Sequence, residues 1–139
     1  MQDQNIRKAI EMGIDKEGFC SVIMEGRGLP AKAAFPDSFS YGNEAVETVS
    51  YDPEGAKKLL EESGWKDTDG DGYADKDGQK LTIDWLTYPT RLEQPKLAEY
   101  AQATLKEIGI DVVVNNTSDH MTYAADGNFD VYVSSTTTA

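Results

Sequence analysis

Of the 139 residues, one is cysteine, Cys20, and one is histidine, His120. A lone cysteine excludes an intrachain disulfide and carries no information about secretion. Cys20 sits in the apolar stretch Phe19-Cys20-Ser21-Val22-Ile23, which reads it as a small buried hydrophobe, and no cation stands nearby in sequence to activate a thiol. A lone histidine with no partner at ligand spacing excludes a zinc-finger type of site, and His120 reads as a surface helix residue. The sequence contains no run of about 18 apolar residues, so no membrane-spanning helix is written in it, and no signal-peptide pattern opens it. Bases are scarce: 13 Lys and Arg stand against 25 Asp and Glu, a net charge of −12. Such a chain repels nucleic acid and anionic lipid surfaces. The catalytic fingerprints G-x-S-x-G, G-x-x-x-x-G-K-[ST] and G-x-G-x-x-G are missing as well, so neither a hydrolase elbow nor a phosphate loop is indicated.

What remains is a globular composition of one-domain size, with 39% hydrophobic and 27% charged residues. Ile6, Ala9, Ile10 and Ile14 recur at helical spacing. Asp15 is placed to cap a second helix with Phe19, Val22 and Ile23 on one face and Gly26 at its end. Residues 26–50 read as a long irregular loop holding Phe35, Pro36, Phe39, Tyr41 and Gly42, and a loop of this length has work to do or a neighbour to wrap. Tyr51-Asp52-Pro53 starts a helix, with Asp52 as cap and Pro53 in the first turn. Ala56, Leu59 and Leu60 form its apolar face, Glu61-Glu62 its solvated one, and Gly64 closes it.

The second half alternates strand and helix. Leu81, Ile83 and Trp85 alternate with Thr82 and Asp84, which makes a strand near 81–88 with Trp85 in the core. A helix over 93–108 presents Leu97, Tyr100, Ala101, Thr104, Leu105 and Ile108. A β-branched strand follows at 110–115, then a short helix from a Ser118 cap, then a strand near 129–134 carrying Phe129, Val131 and Val133. This order predicts an α/β fold with a parallel β-α-β-α-β core. Ligands of such sheets lie beyond the carboxyl ends of the strands. Here those ends are Thr87 to Arg91, Asn116 to Asp119, and Ser134 to Thr138, with Tyr88, Thr90 and Arg91 the ligand candidates on the first. The overlapping glycosylation sequons in Asn115-Asn116-Thr117-Ser118 matter only in a eukaryotic secretory host.

The segment Asp67 to Gly78, DTDGDGYADKDG, admits two readings. Asp67, Asp69, Asp71 and Asp75 occupy positions 1, 3, 5 and 9 of a calcium loop, and Tyr73 supplies the position-7 carbonyl. Position 12 is Gly78 where a bidentate acid belongs, and a strand pattern follows in place of an exiting helix. Asp-Gly and Gly-Asp pairs also build tight turns. The run therefore reads as a helix-to-strand turn, or as a weak structural calcium site.

Four stretches, taken together and in order, carry a family resemblance. They are Asn5-Ile6-Arg7-Lys8-Ala9-Ile10 through Ile14-Asp15-Lys16-Glu17; Gly28-Leu29-Pro30-Ala31 with Phe35-Pro36; Tyr51-Asp52-Pro53-Glu54-Gly55-Ala56-Lys57-Lys58-Leu59-Leu60 with Gly64-Trp65; and Leu105-Lys106-Glu107-Ile108-Gly109-Ile110-Asp111-Val112. The chain resembles the extracytoplasmic solute-binding proteins of ABC transporters of the oligopeptide, dipeptide and nickel type. The resemblance implies two α/β lobes closing on a ligand like a hinged clamp, with residues 1–139 a single fragment of one C-terminal-type lobe. Both ends of the chain read as cut, and apolar surface meant for the missing parts is expected to promote self-association.

The resemblance also implies an importer component without catalysis and without a required cofactor. Its ligand would be a short peptide or a nickel or metal chelate, its partner a membrane permease. It would work in the periplasm or as a cell-surface lipoprotein whose anchor lies outside this sequence. The implied ligand wall is Ser134, Ser135, Thr136, Thr137 and Thr138, joined by Tyr88 and Arg91; family members often place Trp or Arg where this chain has hydroxyls. Thr137-Thr138-Ala139 is similar to the metal-chelate branch, whereas peptide binders are the more numerous. Within the family the acidic run is a common helix-to-strand connection, which favours the turn reading. The competing classes are a calcium-binding structural module on Asp67–Gly78 and an α/β enzyme, for which no site is found.

Overall fold

The computed structural model describes residues 3–31 and 49–135. Helix α1 (Gln4–Gly13) starts where the Asp3 carboxylate accepts a hydrogen bond from the Asn5 amide at 2.8 Å. It buries Ile6, Ala9, Ile10 and Gly13. Gly13 marks a close approach: a Cβ there would lie 2.6 Å from Ile108 Cδ1 and 2.9 Å from Leu105 Cδ2. Asp15 caps α2 (Lys16–Gly18) through the Gly18 amide at 2.9 Å.

Beyond α2 the expected helix is not regular. Phe19–Ile23 form a wide π-helical turn in which the Met24 amide reaches back to the Phe19 carbonyl at 3.0 Å. The extra residue in the turn rotates the side chains, so Val22, expected on the apolar face, is 69% exposed. Cys20, expected to be buried, is half-buried. Phe19 keeps its inward place, its ring 5.8 Å from that of Tyr100. Of the long loop, residues 26–31 and 49–50 are described; Phe35, Pro36, Phe39, Tyr41 and Gly42 lie outside the described residues.

Helix α3 (Pro53–Glu62) follows the sequence reading closely. The Asp52 carboxylate accepts from the Gly55 amide at 2.9 Å, Pro53 opens the helix, and Gly64 closes it at φ +87°. Ala56 and Leu60 face α1, and the Asp52 amide donates to the Met12 carbonyl at 2.9 Å, tying the two helices together.

The acidic segment leads into an antiparallel hairpin of β1 (Asp75–Lys76) and β2 (Gln79–Lys80). Three parallel strands follow in the order β4-β3-β5: β3 (Thr82–Thr87), β4 (Asp111–Asn116) and β5 (Val131–Tyr132). Helix α4 (Glu93–Lys106) crosses from β3 to β4, and α5 (His120–Ala125) leads from β4 to β5. The predicted β-α-β-α-β order is therefore present. Strand β5 is shorter than the 129–134 expected, because only Val131 and Tyr132 find register partners, Trp85 and Leu86. Ser118 does not cap α5; Asp119 stands there without a side-chain capping bond.

The core lies between α1, α3, α4 and one face of the sheet, built from Ile83, Trp85, Leu105, Ile108, Ile110 and Val112 among others. Helix α4 keeps Ala101 and Leu105 of the predicted stripe inward, with Ile108 buried just beyond its end, and adds Gln94 and Ala98. Gln94, Ala98, Ala101 and Leu105 are buried, while Leu97 and Tyr100 are half-buried. Ala98 and Ala101 are both fully buried, in the same core cluster as Trp85, itself 3% exposed.

Candidate functional site

The carboxyl ends of β3 and β5 meet the first turn of α4 and the start of α5. Strand β3 delivers Tyr88 immediately after its last paired residue, and Tyr88 is buried at 6% exposure. Its phenolic oxygen accepts a hydrogen bond from the Ser135 amide at 3.1 Å. That amide, donating to the oxygen, holds the Tyr88 hydroxyl below the ordinary phenol range. The Tyr88 ring stacks on His120 with centroids 4.2 Å apart and planes 22° apart. Nδ1 of His120 in turn lies 2.8 Å from the Tyr132 hydroxyl, which also reaches Met121 Sδ at 3.9 Å. The Phe129 ring lies 5.8 Å from that of Tyr132.

On the α4 side, Gln94 is 5% exposed and its Nε2 donates to Ser135 Oγ. Gln94 Oε1 and Thr87 Oγ1 are buried without a hydrogen-bond partner among the described residues. Ser135 is thus gripped twice, once by the residue that follows β3 and once by the first turn of α4. Ser134 beside it is exposed.

Of the residues singled out in the sequence, Tyr88 and Ser135 are joined directly and Ser134 is adjacent. Arg91 lies exposed in the turn before α4, where its carbonyl accepts from the Gln94 amide at 3.1 Å. Thr136, Thr137 and Thr138 lie outside the described residues. Three contributors were missed: Gln94, Tyr132 and His120, the last read as a plain surface residue. Gln94 carries a legible signal, since it is the polar member of the i, i+4, i+7, i+11 series it forms with Ala98, Ala101 and Leu105. His120 and Tyr132 carry no sequence signal of comparable kind, because their meeting depends on how α5 lies on the sheet.

The acidic segment sits at the opposite, amino end of the sheet. Asp75 pairs with Lys66 across an isolated bridge, and Leu81 donates to the Ala74 carbonyl at 2.8 Å before β3 begins. The loop is a string of aspartate turns. Asp67 accepts from the Gly70 amide at 2.7 Å and the Gly72 amide at 3.0 Å, Asp69 from Asp71 at 3.1 Å, and Asp71 from Tyr73 at 2.8 Å. Carboxylate oxygens of Asp67, Asp69 and Asp71 converge within 4.8 Å of one another. Asp75 stands apart from that cluster, and its carboxylate accepts from the Thr68 amide at 2.8 Å and from the Thr68 hydroxyl. The Tyr73 amide and the Lys80 ammonium, 3.3 Å away, hold the Asp71 carboxyl below the usual range. The Lys80 ammonium also sits 4.4 Å from the Tyr73 ring centroid.

A family model described as bacterial extracellular solute-binding proteins, family 5 Middle, matches residues 1–139. The chain belongs to this family. The oligopeptide-binding protein AppA of Bacillus subtilis (strain 168) is 35% identical over 113 residues, 80% of this chain and 21% of that protein. The nickel-binding periplasmic protein of Escherichia coli (strain K12) is 31% identical over 126 residues, 89% of this chain and 24% of that one. Among solved structures, NikA from Brucella suis in complex with Fe(III)-EDTA superposes with a TM-score of 0.86 at 32% identity, covering 94% of this chain and 27% of that one. AppA in complex with a nonapeptide superposes with a TM-score of 0.81 at 30% identity, covering 96% and 28%. This family 5 chain therefore spans about a quarter of the length of the relatives it matches, and its α/β fold is that of the corresponding part of NikA and AppA.

Proposed function

We propose that this chain is the ligand-facing part of one lobe of a substrate-binding component of an ABC importer. It captures a short peptide outside the cytoplasm and hands it to a membrane permease. The observation that carries this reading is the convergence of Tyr88, Gln94 and Ser135 at the carboxyl edge of the parallel sheet, the edge at which open α/β sheets bind ligands. The proposed ligand wall comprises Ser134, Ser135, Tyr88 and Arg91, with Thr136 and Thr137, which lie outside the described residues, expected to join it. Hydroxyls, a buried amide and one guanidinium match the hydrogen-bonding groups of a peptide backbone and its terminal carboxylate. Peptide is preferred over chelate because AppA, 35% identical, is an oligopeptide-binding protein.

A nickel chelate is the second reading, favoured by the likeness to the nickel-binding periplasmic protein at 31% identity. The reading is of binding without catalysis and without a required cofactor. Calcium, if it binds, binds at Asp67, Asp69 and Asp71 as a structural ion far along the fold from the ligand edge. The deciding experiment is calorimetric titration of the full-length protein with a mixed-sequence nonapeptide pool and, separately, with nickel(II)–histidine. Heat with the peptide pool alone supports the first reading, heat with nickel(II)–histidine alone supports the second, and indifference to both removes both.

A further inference from the structure

We propose that Gln94 is a positioning residue that fixes Ser135, and with it the segment leaving β5, in the binding-ready arrangement. The inference rests on reading Ser134–Ser135 as ligand-facing. Strand β5 supplies only two paired residues, and the Val133 amide reaches the Leu86 carbonyl at a long 3.4 Å. Beyond that point no strand pairing of the described residues holds the chain. Ser135 is placed by side chains instead: its amide by Tyr88, its hydroxyl by Gln94. Both holders are more than nine-tenths buried and are themselves fixed, Tyr88 by stacking on His120 and Gln94 by its place in the first turn of α4.

Fold stability does not account for a glutamine at this position. The rest of the sheet-facing stripe is Ala98, Ala101 and Leu105, and an apolar residue at 94 would continue it. The glutamine instead places a polar amide in that stripe, its Nε2 donating to Ser135 and its Oε1 without a partner among the described residues. A local rule broken in this way marks a residue kept for function. The function on the page is the hydrogen bond to Ser135.

The test is site-resolved amide hydrogen exchange in the full-length protein, with melting temperature recorded alongside. Gln94→Leu should leave the melting temperature unchanged or raised, while Ser135 exchange rises about two- to tenfold, the range that loss of one hydrogen bond implies. Ser135→Ala removes the same bond from its other end, at a half-buried position, and should raise exchange at that amide equally; combining the two should add nothing further. Gln94→Glu removes the donating Nε2 and puts a carboxylate at a buried position, so it should raise Ser135 exchange as Gln94→Leu does. Peptide-pool affinity should fall with the exchange effect. Unchanged Ser135 exchange in both single variants, or a rise spread over the β3 and α4 amides, overturns the inference. A wild-type protein that ignores the peptide pool overturns the peptide reading alone, and the exchange result still decides the role of Gln94.

Discussion

The Tyr88 phenolic oxygen accepts a hydrogen bond from the Ser135 amide at 3.1 Å, joining the end of the central strand to the segment that leaves the edge strand. Forty-seven residues separate the two in sequence. The bond makes one surface out of the carboxyl ends of β3 and β5. Tyr88→Phe keeps the ring stacked on His120 and deletes the acceptor. The expected loss is about 0.5–1.5 kcal/mol of stability, read by urea unfolding, together with weaker peptide-pool binding.

The same bond sets an alkaline signature. With its pKa held below that of an unfolded tyrosine, Tyr88 releases its proton earlier in the folded protein. Its contribution is therefore present above the unfolded value, near 10, and is lost as pH falls through the folded value. Tyr51 and Tyr100 behave oppositely: burial, reinforced by neighbouring charge at Asp15 and Glu107, raises both. Their contribution is complete below the unfolded value and disappears as pH rises through the folded one. Unfolding free energies measured from neutral pH into the alkaline range should fall more steeply for Tyr88→Phe than for the wild type, and less steeply for Tyr100→Phe.

Gly109 should resist substitution. Its φ is +89°, and an added Cβ would lie 3.0 Å from the backbone nitrogen of Ala74, whose amide donates to the Gly109 carbonyl at 2.7 Å. Gly109→Ala combines a left-handed backbone with a crowded backbone neighbour, and a cost of about 1–3 kcal/mol is expected. Chemical denaturation reads it, and exchange should rise first in the hairpin that this contact anchors.

The two aspartates that precede helices α3 and α5 should differ. Asp52 makes a capping bond to Gly55 at 2.9 Å, whereas Asp119 makes none. Asp52→Ala should cost about 1 kcal/mol, and Asp119→Ala should lie within about 0.5 kcal/mol of the wild type. Thermal unfolding of the two variants side by side checks the contrast.

The acidic loop is a turn first, and any calcium response it gives should be weak. Three converging carboxylates favour a cation, but Lys80 already sits against Asp71, and Asp75 is committed to Thr68. Lys80→Ala should strengthen any calcium response, and Asp69→Asn should abolish it while leaving peptide-pool binding unchanged. Melting temperature with and without calcium reads both.

Much of the fold was legible because it is written in local chemistry. Asp52-Pro53, Gly64, Gly109 and the alternation from Leu81 to Trp85 each state a cap, a stop or a strand within a few residues. The π-helical turn at Phe19–Ile23 was not legible, since helical spacing and π spacing differ by one residue per turn over a five-residue run. On α4 the burial of Ala101, Leu105 and Ile108 was legible, whereas that of Gln94 and Ala98 was not, because a polar and a small side chain beside Leu97 and Tyr100 give no hydrophobic signal. At the site, Tyr88 and Ser135 could be named from strand ends alone. The stack of Tyr88 on His120 could not, because it is a contact between α5 and β3 that topology creates and sequence order does not record.

The central claim is that ligand contacts the carboxyl edge built from the ends of β3 and β5. Amide hydrogen exchange of the full-length protein with and without the mixed-sequence nonapeptide pool tests it most directly. Protection should appear in residues 86–94 and 131–135 and leave 67–78 unchanged. Protection confined to the acidic loop, or its absence from both strand ends while the peptide binds, would contradict the account.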